Sequence, residues 1–352
     1  MNLNKFQIGL FAFNASSGVT LTKKKNFWKA DIDKIIKLAK KSDNYGIDFL
    51  LPIARWSDWR GDTRPHKKTF ETFSLMSYLA GITKKIYLFS TVHTSFVNPV
   101  LAARMTTTLS QISKGRFGVN IVCGWNKNEY EMFDVNLKIS SKSRYIFGRE
   151  WLKIYNSLLD KKKDTFTFKG NYISTRNAQC FPKLYSLKKF TKISAGFSKS
   201  GREFAQKNFD ILLTMFGNLN SLKENIKNIK KKSKNLKVIV PLHIVCKKTT
   251  KEALQFYNDY SHKNQDKKAV SNFIRNLEWS KKNKLASFLN QVKQQVAGST
   301  GIYTIKGDKK KVIEDIKTIK RSGVDGIAIT FFDYEKELDY FLKNIFPKIK
   351  NL

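Results

Sequence analysis

Asn120 stands inside an apolar run of strand length, residues 117–122, interrupted otherwise only by Gly118. Burying an amide without a partner costs roughly 1–3 kcal/mol, so this side chain either meets a backbone group or faces a ligand. Gly124 breaks the run, and Trp125, Asn126, Glu129 and Tyr130 follow, placing a polar, aromatic and acidic mouth directly after a core strand. Similar sets follow other apolar runs: Ala54, Arg55 and Trp56; Thr91, His93 and Thr94; Gly196, Phe197 and Ser198. Amides, hydroxyls, aromatic rings, a guanidinium and an imidazole are groups that bind and orient. The chain carries no G-x-S-x-G elbow, no P-loop and no paired carboxylates on adjacent strand ends. Such a lining suits an organic cofactor that performs the difficult chemistry while the protein positions and shields it.

Each residue also has an ordinary reading. Arg55 is equally a surface cation, Thr91 a plain β-branched strand residue, and His93 a satisfied core histidine. His93 is kept as an acid–base candidate because an unperturbed imidazole titrates near neutrality. The stretch 195–201, Ala-Gly-Phe-Ser-Lys-Ser-Gly, passes from strand to helix through small residues, where backbone N–H groups and the helix dipole favour an anion such as a phosphate. Ser198 or Ser200 is also the N-cap expected of any helix. Arg144 and Tyr145 open a further helical stretch and could close over the same ligand.

Positioning these residues requires a scaffold that brings several strand ends together. Strand-like segments at 7–13, 48–54, 86–93, 117–124, 192–197, 211–216, 238–246 and 326–332 alternate with amphipathic stretches from end to end. Eight such pairs predict an α/β chain folded as a (β/α)8 TIM barrel, whose active site lies at the carboxyl ends of the strands. A doubly wound open sheet is the alternative, but its glycine-rich fingerprint after the first strand is absent. Two segments depart from the alternation: 165–181, with period-two apolar residues around Lys169-Gly170-Asn171, predicts an inserted β-hairpin, and 261–297 a helical insertion before the eighth unit. The whole of 1–352 is expected to be one domain.

Composition narrows the class. At 352 residues and 41% hydrophobic content the chain buries a large core, which excludes disorder as its main state. Its 66 Lys and Arg against 28 Asp and Glu give +38, which first suggests nucleic acid or an anionic membrane. The lysines are spread along the chain, however, and no helix-turn-helix, zinc-finger or RNA-binding signature accompanies them. Neither nucleic acid nor membrane is expected as a partner, although anionic ligands would be attracted. Three distant cysteines argue against a disulfide framework, and four scattered histidines show no metal-ligand spacing. No metal is expected, and the absence of a signal-like or membrane-length apolar run predicts a cytoplasmic protein.

The segment GRFGVNIVCGWNKNEYEMF at 115–133, with TFSLMSYLAGIT at 72–83 and PVLAARMTTTLSQIS at 99–113, resembles the bacterial luciferase-like flavin monooxygenase superfamily. SRYIFGREWL from Ser143, FKGNYI from Phe168, SAGFSKSG from Ser194 and GVDGIAITFFDY from Gly323 extend the likeness over nearly the whole chain. It is most similar to the pyrimidine monooxygenase group, with alkanesulfonate and dimethylsulfone monooxygenases as relatives. The resemblance implies reduced FMN as cofactor, supplied by an NAD(P)H:flavin reductase, with O2 as co-substrate, a small organic substrate and a homo-oligomer. It also implies that Ala54, Arg55, Asn120, Glu129, Arg144, Tyr145 and Ser198 form the FMN site, and that Thr91, Asn120 and Trp125 line the pocket where oxygen meets the ring. The loop Trp56-Ser57-Asp58-Trp59-Arg60 and the pair Val92-His93 depart from the pyrimidine pattern, so a heterocycle and an organosulfur compound both stand as substrates. Hydride transfer with a deazaflavin, and catalytically silent flavin or nucleic-acid binding, are the alternatives.

Overall fold

A computed structural model of the chain describes residues 1–135, 141–188, 190–280 and 293–352. Its strands are β1 (Gln7–Phe11), β2 (Phe49–Leu51), β3 (Tyr87–His93), β4 (Phe117–Val122), β5 (Phe166–Phe168), β6 (Thr175–Ala178), β7 (Lys192–Ala195), β8 (Ile211–Leu213), β9 (Lys237–Cys246), β10 (Tyr303–Gly307) and β11 (Gly326–Thr330). β1, β2, β3, β4, β7, β8, β9 and β11 pair in parallel in that order, and β11 returns to β1, so the sheet closes into an eight-stranded barrel. Alternation along each strand divides the apolar residues between two layers. Phe49, Leu51, Tyr87, Phe89, Ile193, Ile211, Leu213, Ile239 and Ala328 fill the barrel, while Ile8, Leu10, Leu50, Leu88, Phe117, Val119, Ile121 and Val240 face the surrounding helices.

The expected eight strands are the eight of the barrel. β10 was not expected: it pairs through Tyr303–Gly307 with the last five residues of β9, beyond the part of β9 that meets β8 and overlapping at Leu242 and His243 the part that meets β11. β5 and β6 form the expected antiparallel hairpin. The helix Thr250–Asn258 runs into a π-helical turn at Asp259–Lys263, and the helical insertion expected at 261–297 holds the helix Lys267–Ser280 and most of Lys293–Ser299; its residues 281–292 lie outside the described residues. Among the described residues no helix is long and apolar enough to cross a membrane, and no group of three or more His, Cys, Asp or Glu could hold a metal.

Candidate active site

The carboxyl ends of β2, β3 and β4 bring together residues that the sequence separates. Thr91 and Asn120 lie opposite each other in the β3–β4 register, on the face that lines the barrel. Asn120 Nδ2 donates to Thr91 Oγ1 at 3.1 Å, and Thr91 Oγ1 donates to the Pro52 carbonyl at 2.6 Å. This one-way chain fixes the amide orientation. It leaves Asn120 Oδ1 buried and without a hydrogen-bond partner among the described residues.

A second group forms where the loop after β2 meets the short helix Lys127–Met132. Glu129 is fully buried; both its oxygens face Arg55 Nη1 at 3.4 Å and Oε1 accepts from the Trp56 amide at 3.1 Å. Burial alone would push the Glu129 carboxyl up, but Arg55, with the Trp56 N–H, outweighs it and holds the group below its ordinary value. Glu129 is therefore a carboxylate. Removing one partner of a buried pair costs about 3–5 kcal/mol. Glu129→Ala is therefore expected to lower the unfolding free energy by about 3 kcal/mol, read as a shift of the urea midpoint at constant slope. Glu129→Gln, which keeps an acceptor for Trp56, should lose less, and an unshifted midpoint for the alanine variant would remove this pair from the account.

Arg55 also lies over two indoles, 5.4 Å from the Trp59 ring and 4.8 Å from the Trp125 ring. Trp125 stacks on Trp59 with centroids 5.8 Å apart, and Phe273 meets both rings edge-on. Phe273 belongs to the helix Lys267–Ser280, whose Asn272 donates to the Trp59 carbonyl at 2.8 Å and whose Asn276 accepts from the Lys127 amide at 3.0 Å. The insertion thus forms the wall behind Trp125. Gly124, at φ +72°, turns the chain from β4 into this wall, and a Cβ there would meet Tyr130 Oη at 2.9 Å.

Arg144, Tyr145 and Ser198 form a third group at β7. Ser198 caps the helix Lys199–Asn208, its Oγ accepting from Gly201 N at 3.1 Å. A Cβ on Gly196 would lie 2.8 Å from the Gly201 carbonyl, and one on Gly201 would lie 2.8 Å from Tyr145 Oη, so strand end, helix start and phenol converge where only glycine fits. Arg144 is buried and donates to the Gly124 carbonyl at 2.6 Å, linking this group to the β4 loop. Burial raises the Tyr145 phenol above its ordinary value, so it serves as a hydrogen-bonding hydroxyl.

His93 ends β3 on the inward face, 4% exposed, its imidazole pushed down to about 4 chiefly by burial. It is uncharged near neutral pH. The charged form that an acid donating a proton would need is disfavoured here. Ala54 is buried beside Arg55. The sequence reading missed Phe273 and the half-buried Phe11, Ile53 and Met215, which lie at or just past the ends of β1, β2 and β8 and pack against Ala12, Val19 and Ile302. Extending strand alternation two residues past the ends of β2 and β8 would have pointed to Ile53 and Met215.

The model of the family described as luciferase-like monooxygenase matches residues 6–326. The chain is 26% identical to pyrimidine monooxygenase RutA of Acinetobacter baylyi over 97% of its own length and 94% of that protein's. It is 25% identical to RutA of Caulobacter segnis over 98% of this chain and 99% of that one. Among solved structures it is similar to riboflavin lyase RcaE with modified FMN and riboflavin, at TM-score 0.85 and 17% identity over 98% of this chain and 91% of that one. DmoA from Hyphomicrobium sulfonivorans superposes at TM-score 0.82 and 15% identity, over 98% and 88% respectively. At these identities the structural likeness establishes the shared barrel.

Proposed function

The chain belongs to the luciferase-like monooxygenase family, and from that premise we propose that it is a flavin-dependent monooxygenase using reduced FMN and O2 to oxygenate a small organic substrate. The substrate class is a pyrimidine-type heterocycle or an organosulfur compound whose C–S bond is cleaved. One observation carries the reading. Four of the five unpartnered buried side-chain atoms among the described residues, Trp56 Nε1, His93 Nδ1, Thr94 Oγ1 and Asn120 Oδ1, lie in or just after β2, β3 and β4 on one rim of the barrel. Buried polar atoms are normally paired, so their concentration there suits a heteroatom-rich ring seated in the mouth.

Reduced flavin supplies the electrons that activate O2. The rest is the work of the side chains. Asn120 offers an acceptor held in place by Thr91, and that preorganised pair orients the reacting edge. Trp125, backed by Trp59 and Phe273, excludes water from it. Ala54, Arg55 and Glu129 hold the middle of the cofactor, while Arg144, Tyr145 and Ser198, with the N–H groups of the tight turn at Gly196 and Gly201, take its phosphate. A separate NAD(P)H:flavin reductase provides the reduced cofactor.

An omission series tests this. The purified protein is incubated with FMN, NADH, a flavin reductase, air and a panel of uracil, dimethyl sulfone and alkanesulfonates. Loss of one substrate is expected only when every component is present. No substrate loss with any member, or loss that persists without FMN, would contradict the reading.

A further inference from the structure

Three histidines are deeply buried in this protein, and two are fully bonded. His66 Nδ1 accepts from Trp59 Nε1 at 3.1 Å while Nε2 donates to the Gly18 carbonyl at 2.7 Å. His243 meets Thr330 Oγ1 at 2.9 Å and Tyr260 Oη at 3.0 Å. His93 differs. Its Nδ1 is sealed from solvent, and no described residue bonds either Nδ1 or Nε2. Its surroundings are the Phe96 ring at 5.1 Å and, across the mouth, the Glu129 and Arg55 pair. A core histidine retained for packing would be bonded as the other two are.

The position is equally particular. His93 lies two residues beyond Thr91 on the inward face of β3, diagonal to Asn120 on β4. No acceptor reaches Nδ1, so the proton of the uncharged ring belongs on Nε2, the nitrogen that is not sealed. Asn120 Oδ1 is an acceptor and His93 Nε2–H a donor, side by side on adjacent strands. A conjugated ring edge on which carbonyl and N–H groups alternate complements that pair.

We propose that His93 is a cofactor-contacting residue: its uncharged imidazole donates to the polar edge of the flavin ring while Asn120 accepts from it, and the pair sets flavin affinity. The inference rests on the flavin reading above. It assigns His93 a hydrogen-bonding role in place of an acid–base one.

The test is a set of anaerobic FMN titrations, with FMN held reduced by dithionite, run beside thermal melts of the protein without flavin. His93→Leu should weaken reduced-FMN binding at least about 10-fold, the scale of losing one hydrogen bond to a buried partner, while its melting temperature stays equal to or above that of the parent. His93→Gln, which keeps a donor near the Nε2 position, should bind within a few-fold of the parent. Parent-like binding by His93→Leu overturns the inference and leaves the flavin reading standing. A melting temperature lowered by several degrees in the leucine variant also overturns it, because that is the mark of a packing residue. Failure of the parent protein to bind reduced FMN overturns the flavin reading, and this inference falls with it.

Discussion

Asn120→Ala is expected to lower substrate oxygenation by at least about 100-fold, the scale on which removing one preorganised group at a reacting centre is felt, while the protein stays folded. The reason lies in the direction of one hydrogen-bond chain. Asn120 Nδ2 donates to Thr91 Oγ1, and Thr91 Oγ1 donates onward to Pro52, so Thr91 keeps its main-chain partner when the amide is removed. The stability cost should be near 1 kcal/mol, that of one ordinary hydrogen bond. The opposite end of the amide, Oδ1, has no partner among the described residues, and its loss is felt only by what the mouth binds. Product formed per NADH consumed separates the cases: the variant should continue to consume reduced flavin with little product. Unaltered coupling would remove Asn120 from the reacting centre.

Acid should unfold the protein well before its carboxylates are fully protonated. His66 and His93 are held down to about 4 and His243 to about 3, in each case with burial as the largest cause, against an ordinary 6.5. Below pH 6.5 the unfolded chain takes up protons that the folded one refuses, so stability is flat above that value and falls as pH drops toward 4. Each histidine contributes a slope of about 1.4 kcal/mol per pH unit inside its window, and three together about 4. Glu129 acts in the same direction lower down: its depressed value stabilises the fold above about 4.5, and that contribution is lost as the carboxylate protonates. A domain holds only about 5–15 kcal/mol in total, so unfolding near pH 5 is the expected outcome. Circular-dichroism melts from pH 8 to 4 check it. A melting temperature unchanged between pH 7 and 4.5 would mean that these imidazoles are not locked uncharged.

The barrel was legible because strands buried on both faces appear as apolar runs, and because polar residues gather after the runs at 48–54, 86–93 and 117–124. β10 was not legible: Tyr303–Gly307 is short, carries Thr304 and Lys306, and is a strand only because β9 extends past the barrel to meet it. The mouth after β4 was legible from the anomaly of Asn120, but its partner was not. Nothing in a separation of 29 residues shows that Thr91 sits opposite it; closure of the sheet sets that register. The Trp59–Trp125 stack and its support by Phe273 depend on an insertion folding back over two loops, which has no local pattern. His93 shows the limit most directly. Its residue type suggested acid–base chemistry at neutral pH, whereas burial keeps it uncharged, a property of the fold and not of the residue.

The central claim, that this barrel mouth uses reduced flavin to put an atom of oxygen into a small molecule, is tested most directly by isotope. Protein, FMN, NADH and a flavin reductase are supplied with 18O2 and the panel of uracil, dimethyl sulfone and alkanesulfonates, and products are weighed by mass spectrometry. The expected product carries one atom of 18O, and none forms under argon. A product without label, or turnover undiminished when oxygen is removed, would contradict the account.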